Sequence, residues 1–299
     1  LVNAAECEPY LTCDERTLQE NISAVIDGLA IVMNIVGSKG MIVLEDNKKY
    51  IKSTIEEEIN KQNYSDKIEV CLVKTKYPQG SEKFIVSASL GREIPSGKLP
   101  ADAGVIVSNV GTFCAVSEAF REGKPLIERP LTISGYGVNN PCNIKVPVGT
   151  LVSDLIPEVF NYDKDEVVKI LSGGPMMGFA MSTPVFPIAK GTSGVVFLTK
   201  KETVLFEEDQ CISCGYCVRT CAMSLSPVLI KRELEAGNYT KARKFGLMDC
   251  IECGCCVYVC PASIKLVQRF RLGQAVVRKH MPDEKIKQEL AAKKEEEKK

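Results

Sequence analysis

Apolar and polar residues alternate along the first third of the chain in two regular patterns. Between residues 17 and 37 the apolar positions recur with a helical period, which predicts one helix. Short apolar or alternating segments beyond it predict strands, and two stretches between them, the first of them polar, predict two more helices. The predicted strands are 41–44, 67–74 and 105–107, the last ending at Ser108 and Asn109, and the further helices are 47–60 and 82–90. Strands that alternate with helices in this way predict an α/β layer structure.

The pattern changes after residue 130. Residues 131–152 are rich in β-formers and are interrupted by Gly and Pro, which indicates short strands joined by tight turns. A short helix is predicted at 152–156 with Ser153 as its N-cap, and a final strand at 195–198. Residues 173–178, which contain three glycines, are interpreted as a tight turn over apolar packing.

Composition excludes several classes of protein. The 299 residues suffice for two or three domains, and 45% of them are apolar, which excludes wholesale disorder. Thirty-eight basic and 38 acidic residues cancel, which argues against a nucleic-acid partner. No apolar run approaches the roughly 20 residues of a membrane span. After residue 280 the Lys- and Glu-rich sequence predicts a solvated helix or disorder.

Cysteine usage points to a metal centre. Nine of the 14 cysteines lie between Cys211 and Cys260. A disulfide scaffold would spread its cysteines through a small secreted chain. This chain is large and has no export signal, so we expect its clustered thiols to be metal ligands in a reducing compartment.

Two cysteine runs share one spacing. Cys211, Cys214, Cys217 and Cys221 form a C-x2-C-x2-C-x3-C run. The run is repeated after 28 residues and then ends in Cys-Pro; the repeat consists of Cys250, Cys253, Cys256 and Cys260. Closely spaced cysteines of this kind hold [4Fe–4S] clusters, and in two-cluster ferredoxins the fourth cysteine of each run binds the other cluster.

The ligand sets follow from that rule. We expect Cys211, Cys214, Cys217 and Cys260 to hold cluster 1. We expect Cys250, Cys253, Cys256 and Cys221 to hold cluster 2. The alternative is a pair of four-thiolate zinc sites, but zinc ribbons favour separated C-x2-C pairs over a run of three plus one. Cys255 does not fit the pattern and is interpreted as a spare or buried thiol.

Three polar segments lie beside predicted strand ends or helix starts in the first domain. Residues 3–10 carry Glu6 and Glu8 beside a proline, and residues 77–82 and 108–112 each contain a glycine. Ligands of α/β sheets bind where strands end, so together these segments suggest a binding site. Residues 3–10 alone are equally compatible with an exposed acidic turn. No Walker or G-x-G-x-x-G phosphate motif is present.

Several motifs carry a family resemblance. They are VNAAECEPYLTCDER (2–16), KYPQGSEK (76–83), GREIPSG (91–97), SNVGT (108–112) and SGGPMMGFA (172–180). With the two cysteine runs, they make residues 1–272 resemble the C subunit of the Rnf complex, a ferredoxin–NAD oxidoreductase that couples electron transfer to ion pumping. That family is similar in turn to the flavoprotein subunit of respiratory complex I, which binds FMN and NADH.

The resemblance implies cofactors and site residues. FMN would be lined by Asn3, Glu6, Gly80, Asn109 and Thr112. The nicotinamide side of the site would carry Glu8, Tyr77 and Glu82. The family also uses a Gly-rich loop upstream of the first strand, and that loop is absent from this sequence, so we expect the chain to be truncated at its N-terminus.

The expected fold has three parts and a tail. Residues 1–130 would form the α/β flavin and NADH domain, and residues 131–203 a small β-grasp-like domain. Residues 204–272 would form an α+β ferredoxin-like domain with two [4Fe–4S] clusters, followed by a charged tail at 273–299.

The resemblance also implies a function. The chain would be an oxidoreductase subunit of an anaerobe that passes electrons between NAD(H), FMN and the two clusters, with other redox subunits as partners. We expect it in the cytoplasm, peripheral on the inner face of the membrane. The alternatives are a soluble Rnf-C-like carrier for proline reductase, a cobalamin reductase, and, from another class, a flavin-free ferredoxin-type adaptor.

Overall fold

The computed structural model describes residues 1–203 and 206–280. The chain divides into two compact units, Leu1–Val204 and Leu205–Lys299, termed the first and second unit. Two β-sheets lie in the first unit, and the second unit carries the clustered cysteines. Within the described ranges, no helix combines the length and the apolar character needed to cross a membrane.

The first sheet is an all-parallel sheet of four strands in the order β3-β2-β1-β4. Its strands are β1 Val2–Ala4, β2 Gly40–Glu45, β3 Ile68–Val73 and β4 Ser108–Asn109. Each strand is followed by a helix or a helical turn, so the crossovers cover both faces, and the apolar side chains of β1 and β2 are buried except for the half-buried Met41. This arrangement confirms the α/β prediction for the N-terminal part of the chain.

Five helices surround this sheet. They are α1 Cys13–Glu20, α2 Ile22–Val36, α3 Lys52–Lys61, α4 Glu82–Leu90 and α5 Val110–Glu122. Helices α2 and α5 pack closely because Gly28 has no side chain: a Cβ atom there would lie 1.9 Å from the carbonyl oxygen of Phe113. The core contains Leu18, Ile26 and Ile55, all essentially inaccessible to solvent.

Three local predictions were wrong. The stretch 17–37 is not one helix, because the chain breaks at Asn21, a residue that favours helix ends over helix interiors. No strand forms at 105–107; the strand is limited to the two residues of β4, Ser108–Asn109. The Val105 N–H instead donates to Pro100 O and closes the 3-10 helix Pro100–Ala103. Ser153 lies inside the 3-10 helix Val152–Leu155 rather than capping it.

The second sheet has five strands in the order β6-β5-β9-β7-β8. The strands are β5 Glu128–Ser134, β6 Cys142–Pro147, β7 Val167–Ser172, β8 Phe179–Met181 and β9 Gly194–Thr199. The first and last of these, β5 and β9, are parallel neighbours, and the other pairs are antiparallel. Phe197 of β9 is buried, and its ring contacts those of Phe160 and Tyr162 at centroid distances of 5.4 and 4.8 Å.

The second unit consists of helices joined by cysteine-bearing loops. Its helices are α6 Tyr216–Arg219, α7 Pro227–Glu235, α8 Tyr239–Lys244, α9 Cys255–Tyr258 and α10 Leu266–His280. The α+β composition expected here is not observed, because residues 206–280 form no strand. The segment before the first cysteine run and the segment after the second are joined by one backbone hydrogen bond, from Asp209 N–H to Ala262 O. Helix α10 passes position 273 without a break, and Gln274 and Val277 are buried in this unit. The charged sequence expected as a tail after residue 280 lies outside the described residues.

Candidate functional site

The strand order of the first sheet defines a crevice between β1 and β4. The chain proceeds from β1 to β2 and β3 on one side, and then returns to place β4 on the other side of β1. The connections that follow β1 and β4 therefore run in opposite directions from the carboxyl ends of these strands. Ligands of open α/β sheets bind at such a point. The three polar segments singled out in the sequence, 3–10, 77–82 and 108–112, all follow or end strands at this edge.

Asn3 joins two of these segments. Its side-chain amide donates to Gly80 O at 2.7 Å, and its Oδ1 accepts the Ala5 N–H at 3.2 Å. Gly80 lies so close to the loop after β1 that a Cβ atom would be 2.2 Å from Ala5 O. The Gly80 N–H also points to the Cys7 sulfur at 3.3 Å. The structure thus brings Asn3 and Gly80 together, as expected, and explains why position 80 has no side chain.

Glu6 is held by the protein on three sides. Its carboxylate accepts the backbone N–H groups of Asp14 and Glu15 in the first turn of α1, at 3.0 and 3.3 Å. The Lys48 ammonium lies 3.2 Å from Glu6 and 3.3 Å from Glu15. Burial alone would lower the pKa of Lys48, but the two carboxylates outweigh it and raise that pKa. The Lys48 charge is therefore fixed, and Glu6 is positioned as a rigid part of the crevice.

Sequence reasoning missed Lys48. It lies in the 3-10 helix Asp46–Ile51 after β2, inside a stretch interpreted only as a polar helix. The available signal was its place three residues after a buried strand, β2, whose neighbour β1 leads into the loop that carries Glu6, because a buried carboxylate there would need a cation.

Asp14 and Asn109 connect α1 to the start of α5. The Asn109 amide donates to Asp14 Oδ2 at 2.6 Å, while its Oδ1 accepts the Gly111 N–H and caps α5. Burial and the nearby Glu6 carboxylate raise the pKa of Asp14 to about 6. Thr112 lies exposed in the first turn of the same helix. Asn109 and Thr112 therefore border the crevice from the β4 side.

Glu8 reaches a different element from Glu6. Its carboxylate accepts N–H groups of Met176 at 3.1 Å and Met177 at 2.8 Å, in the glycine-bearing turn between β7 and β8. A Cβ atom on Gly174 would lie 2.3 Å from Glu8 Oε2, so the turn closes directly around this carboxylate. Burial raises the pKa of Glu8, and the two N–H bonds oppose that effect. The sequence analysis interpreted this turn as packing alone, whereas in the structure its backbone N–H groups also hold the Glu8 carboxylate.

Tyr77 and Glu82 flank Gly80 in the loop after β3. Tyr77 is half-buried and precedes a cis peptide bond to Pro78, and Glu82 is the exposed first residue of α4. Two buried polar atoms in the described part of the chain have no hydrogen-bond partner, Glu45 Oε1 at the end of β2 and Gln79 Nε2 beside Gly80. Such atoms are typical of a site whose ligand completes the bonding. The residues present therefore fit a polar cofactor at this edge.

A wide cavity at the opposite edge of the sheet does not involve these residues. It lies at the amino ends of the strands and is lined by residues that include Leu1, Gly40, Ile68 and Val105. Its lining mixes aliphatic with charged and polar side chains and contains none of the predicted site residues.

The cysteine runs form two loops with the same backbone shape. We term residues 211–217 the first loop and residues 250–256 the second loop. Their residues before the second cysteine, Ser213 and Glu252, have φ of 55° and 59°, and Gly215 and Gly254 have φ of 75° and 81°. This left-handed backbone turns each loop back on itself, so that its cysteines converge.

The fourth cysteine of each run lies beside the other loop. A small, mainly apolar cavity is lined by Cys221 together with Cys250, Cys253 and Cys256. Burial raises the pKa of Cys217, and the neighbouring Cys214 and Cys260 thiols add to the effect. Four thiols therefore share the small cavity and three more lie near one another around Cys217, and thiolates are the donors that hold [4Fe–4S] clusters. Cys255 lines the same cavity as a fifth thiol.

Family models match both parts of the chain. Residues 1–118 match the Nuo51 FMN-binding domain, and residues 210–264 match the 4Fe-4S dicluster domain. The expected flavin domain and two-cluster domain are confirmed.

Relatives that match most of the chain point in the same direction. The C subunit of the proton-translocating ferredoxin:NAD⁺ oxidoreductase complex of Clostridium ljungdahlii is 46% identical over 91% of this chain. The corresponding C subunits from Rhodobacter capsulatus and Acetobacterium woodii are 43% and 42% identical over 94% and 92% of it. The chain belongs to the Rnf C-subunit family. It spans 59%, 54% and 61% of the lengths of these three relatives.

Solved structures share the fold of this Rnf-family chain. The match to the NAD⁺-reducing [NiFe]-hydrogenase in its H2-reduced state covers 100% of this chain and 60% of the hydrogenase chain, with a TM-score of 0.61 and 15% sequence identity. The match to the same kind of hydrogenase in its air-oxidised state covers 82% of this chain and 46% of the hydrogenase chain, with a TM-score of 0.59 and 17% sequence identity.

Proposed function

We propose that the chain passes electrons between NAD(H) and two [4Fe–4S] clusters through FMN, as the NADH-side part of an Rnf-type complex. The observation that carries this proposal is the presence of an FMN-binding domain and a dicluster domain in one chain of the Rnf C-subunit family. FMN supplies the exchange between hydride and single-electron chemistry, and the clusters supply one-electron storage. The protein supplies position and electrostatics.

The proposed FMN residues divide into two roles. Asn3 and Glu6 act within the protein, because their side chains tie the loop after β1 to Gly80, to α1 and to Lys48. Gly80 permits close backbone approach, while Asn109 and Thr112 offer polar groups from the start of α5. We propose that FMN lies against this edge, where Gln79 Nε2 has a free donor among the described residues.

We propose Glu8, Tyr77 and Glu82 for the nicotinamide side. Tyr77 and Glu82 flank Gly80, and Glu8 is fixed by the turn that contains Met176 and Met177. A carboxylate already satisfied by two backbone N–H groups is oriented before ligand binding, which reduces the cost of ordering it.

We propose crossed ligation of the two clusters. Cys211, Cys214, Cys217 and Cys260 would hold cluster 1, and Cys250, Cys253, Cys256 and Cys221 would hold cluster 2. The cavity shared by Cys221 and the second loop supports this assignment over ligation within each run.

We further propose a domain order of 1–130, 131–203 and 204–272, with the middle domain β-grasp-like. Its five-stranded mixed sheet, with first and last strands parallel at the centre, supports that class. The C-subunit relatives belong to named complexes, so other redox subunits are the proposed partners, and a peripheral place on the inner membrane face is the proposed location.

Cofactor analysis tests the proposal. Purified anaerobically, the chain should carry about eight irons and eight sulfides and bind added FMN with quenching of its fluorescence. Cys214→Ser should remove about half of the iron, whereas Cys255→Ser should leave it unchanged. Gly80→Ala should weaken FMN binding because its Cβ would displace Ala5 O, and Gly191→Ala, which meets no neighbour within 4 Å, is the control. A full iron load without FMN binding would favour the flavin-free adaptor.

A further inference from the structure

The two halves of the second unit form an internal repeat. The first loop, α6 and α7 correspond in order to the second loop, α9 and α10. The repeat extends to single backbone angles, since Ser224 and Ser263 at equivalent positions have φ of 53° and 51°. Differences between the halves therefore stand out against a shared framework.

Helix α10 clamps the second loop. The Arg271 guanidinium donates to Glu252 in the middle of that loop at 2.6 Å. The Gln274 amide, only 1% exposed, donates to Cys250 O at 3.1 Å and to Leu247 O at 2.8 Å. Two of these hydrogen bonds thus fix the loop and its first cysteine, and the third holds Leu247 just before the loop.

The equivalent residues leave the first loop unclamped. Ser213 stands where the second loop has Glu252, so the first loop lacks the carboxylate. Arg232, the counterpart of Arg271, has a side chain 69% exposed and lies near Glu233 of its own helix. Glu235, the counterpart of Gln274, is paired with Lys231 and Arg269 instead.

Exposure follows the same asymmetry. In the first loop Cys211, Ser213, Ile212 and Tyr216 are exposed, the last two by 67% and 51%. In the second loop no residue is exposed, and its cysteines line the small cavity shared with Cys221. Residues 211–217 include no charged residue, and the cation that contacts them, the exposed Arg219, donates to Cys214 O at 3.3 Å and lies 4.7 Å from the centroid of the Tyr216 ring.

We propose that the second unit exchanges electrons with a one-electron carrier protein at the first loop, and that the second loop holds the shielded, inner cluster. This inference rests on the proposed function, because it requires that both clusters be bound. In the exchange one electron passes outer-sphere to the carrier, which is reduced by one electron while the chain is oxidised by one; no bond or proton changes place. The apolar contact offered by Ile212 and Tyr216 suits the small, weak interface of transient redox complexes.

Thiol labelling of the cluster-loaded chain tests the shielding. The protein is treated anaerobically with an iron chelator and N-ethylmaleimide, and alkylated peptides are followed by mass spectrometry. We expect Cys211, Cys214 and Cys217 to be labelled several-fold faster than Cys250, Cys253 and Cys256, with a plateau at about half of the iron. Equal rates, or faster labelling of the second loop, would overturn the proposal.

Two arginines supply a matched pair of variants. Arg271→Met should accelerate labelling of the second loop towards the rate of the first, because it removes the bond to Glu252. Arg232→Met changes the equivalent exposed residue and should alter neither rate. If Arg271→Met leaves the labelling rates unchanged, the clamp has no protective role and the proposed asymmetry is wrong.

Electron exchange is measured separately. The dithionite-reduced chain is mixed with a small cytochrome c as the probe, and the bimolecular rate is recorded at equal iron content. The Ile212→Ser/Tyr216→Ser variant should slow this rate several-fold, whereas Tyr258→Ser, at an 81% exposed tyrosine beside the second loop, should not. An equal or larger effect of Tyr258→Ser contradicts the proposal. A chain that binds no iron contradicts the proposed function instead, so the two failures are distinguishable.

Discussion

The Lys48 ammonium lies 3.2 Å from the Glu6 carboxylate, and their side chains are only 9% and 4% exposed. Glu6 also accepts two backbone N–H groups from the first turn of α1, and Lys48 has a second partner in Glu15. The pair therefore joins the loop after β1 to the segment after β2, at the edge of the sheet where the proposed cofactor residues lie.

Replacing Lys48 tests how much this pair stabilises the first unit. Lys48→Met leaves the Glu6 carboxylate buried without a cation, a change that costs about 3–5 kcal/mol in other buried pairs. We expect the lower end of that range, because Glu6 keeps its two backbone bonds. The measurement is the urea midpoint of the first unit's unfolding, followed by FMN affinity, which should also decrease.

Two further variants separate charge from position. Lys48→Arg keeps the cation and should recover most of the lost stability. Lys52→Met removes a lysine from a more exposed pair with Glu56 and should cost about 0–1 kcal/mol. A Lys48→Met protein as stable as the Lys52→Met protein would show that the buried pair contributes little.

The contact between Glu8 and Gly174 predicts a non-additive pair of substitutions. Gly174→Ala places a Cβ atom 2.3 Å from Glu8 Oε2 and should lower the melting temperature by displacing that carboxylate. Glu8→Ala removes the two nearest obstructing atoms, Oε2 and Cδ, and keeps only Cβ at 2.8 Å, so Gly174→Ala should cost less in the Glu8→Ala background. Thermal melts of the four proteins give the coupling energy, expected at about 1–3 kcal/mol.

Gly191→Ala is the control for this cycle, because its Cβ would meet nothing within 4 Å. Additive effects of Gly174→Ala and Glu8→Ala would mean that the turn does not close around Glu8. For NADH oxidation, Gly174→Ala should raise KM more than it lowers kcat if Glu8 orients the nicotinamide.

Cys7 should react slowly with alkylating reagents despite its place beside Gly80. Burial raises the pKa of its thiol to about 11, partly opposed by the Gly80 N–H and reinforced by Glu45 and Glu8. At pH 8 only about one thiol in a thousand would be ionised, against about one in four for a free cysteine. Iodoacetamide labelling should therefore accelerate steeply between pH 8 and 10. Rapid labelling at pH 8 in the folded chain, at the rate found in urea, would contradict this expectation.

The sequence predicted β2 and β3 because their apolar spacing is regular, and it predicted α4 at Glu82–Leu90 to the residue, but the apolar spacing placed no strand at β1. It did not locate the break at Asn21, where a continuous apolar period conceals a helix end. The sequence also did not predict which residues far apart in the chain contact each other. The contact of Glu8 with Met176 and Met177 joins residues far apart in the chain, and no local pattern encodes such a contact. The family resemblance supplied site residues but not their internal partners.

Asp14 predicts a pH dependence of stability with a definite sign. Burial and the Glu6 carboxylate raise its pKa from 3.8 to about 6 in the folded chain. Between about pH 4 and pH 6 the folded state therefore binds more protons than the unfolded state, so this group's stabilising contribution is complete at low pH and is lost as pH rises through 6. Each unit of pKa difference corresponds to about 1.4 kcal/mol.

Asp14→Asn removes this titration while keeping an oxygen acceptor for the Asn109 amide. We expect the variant to gain stability relative to the parent chain as pH rises from 4 to 7, with little difference at pH 4. Urea unfolding at four pH values measures the difference between the variant and the parent chain. If Asp14→Asn loses stability relative to the parent between pH 4 and 7, Asp14 is a stabilising carboxylate with a lowered pKa, and the assigned direction is wrong.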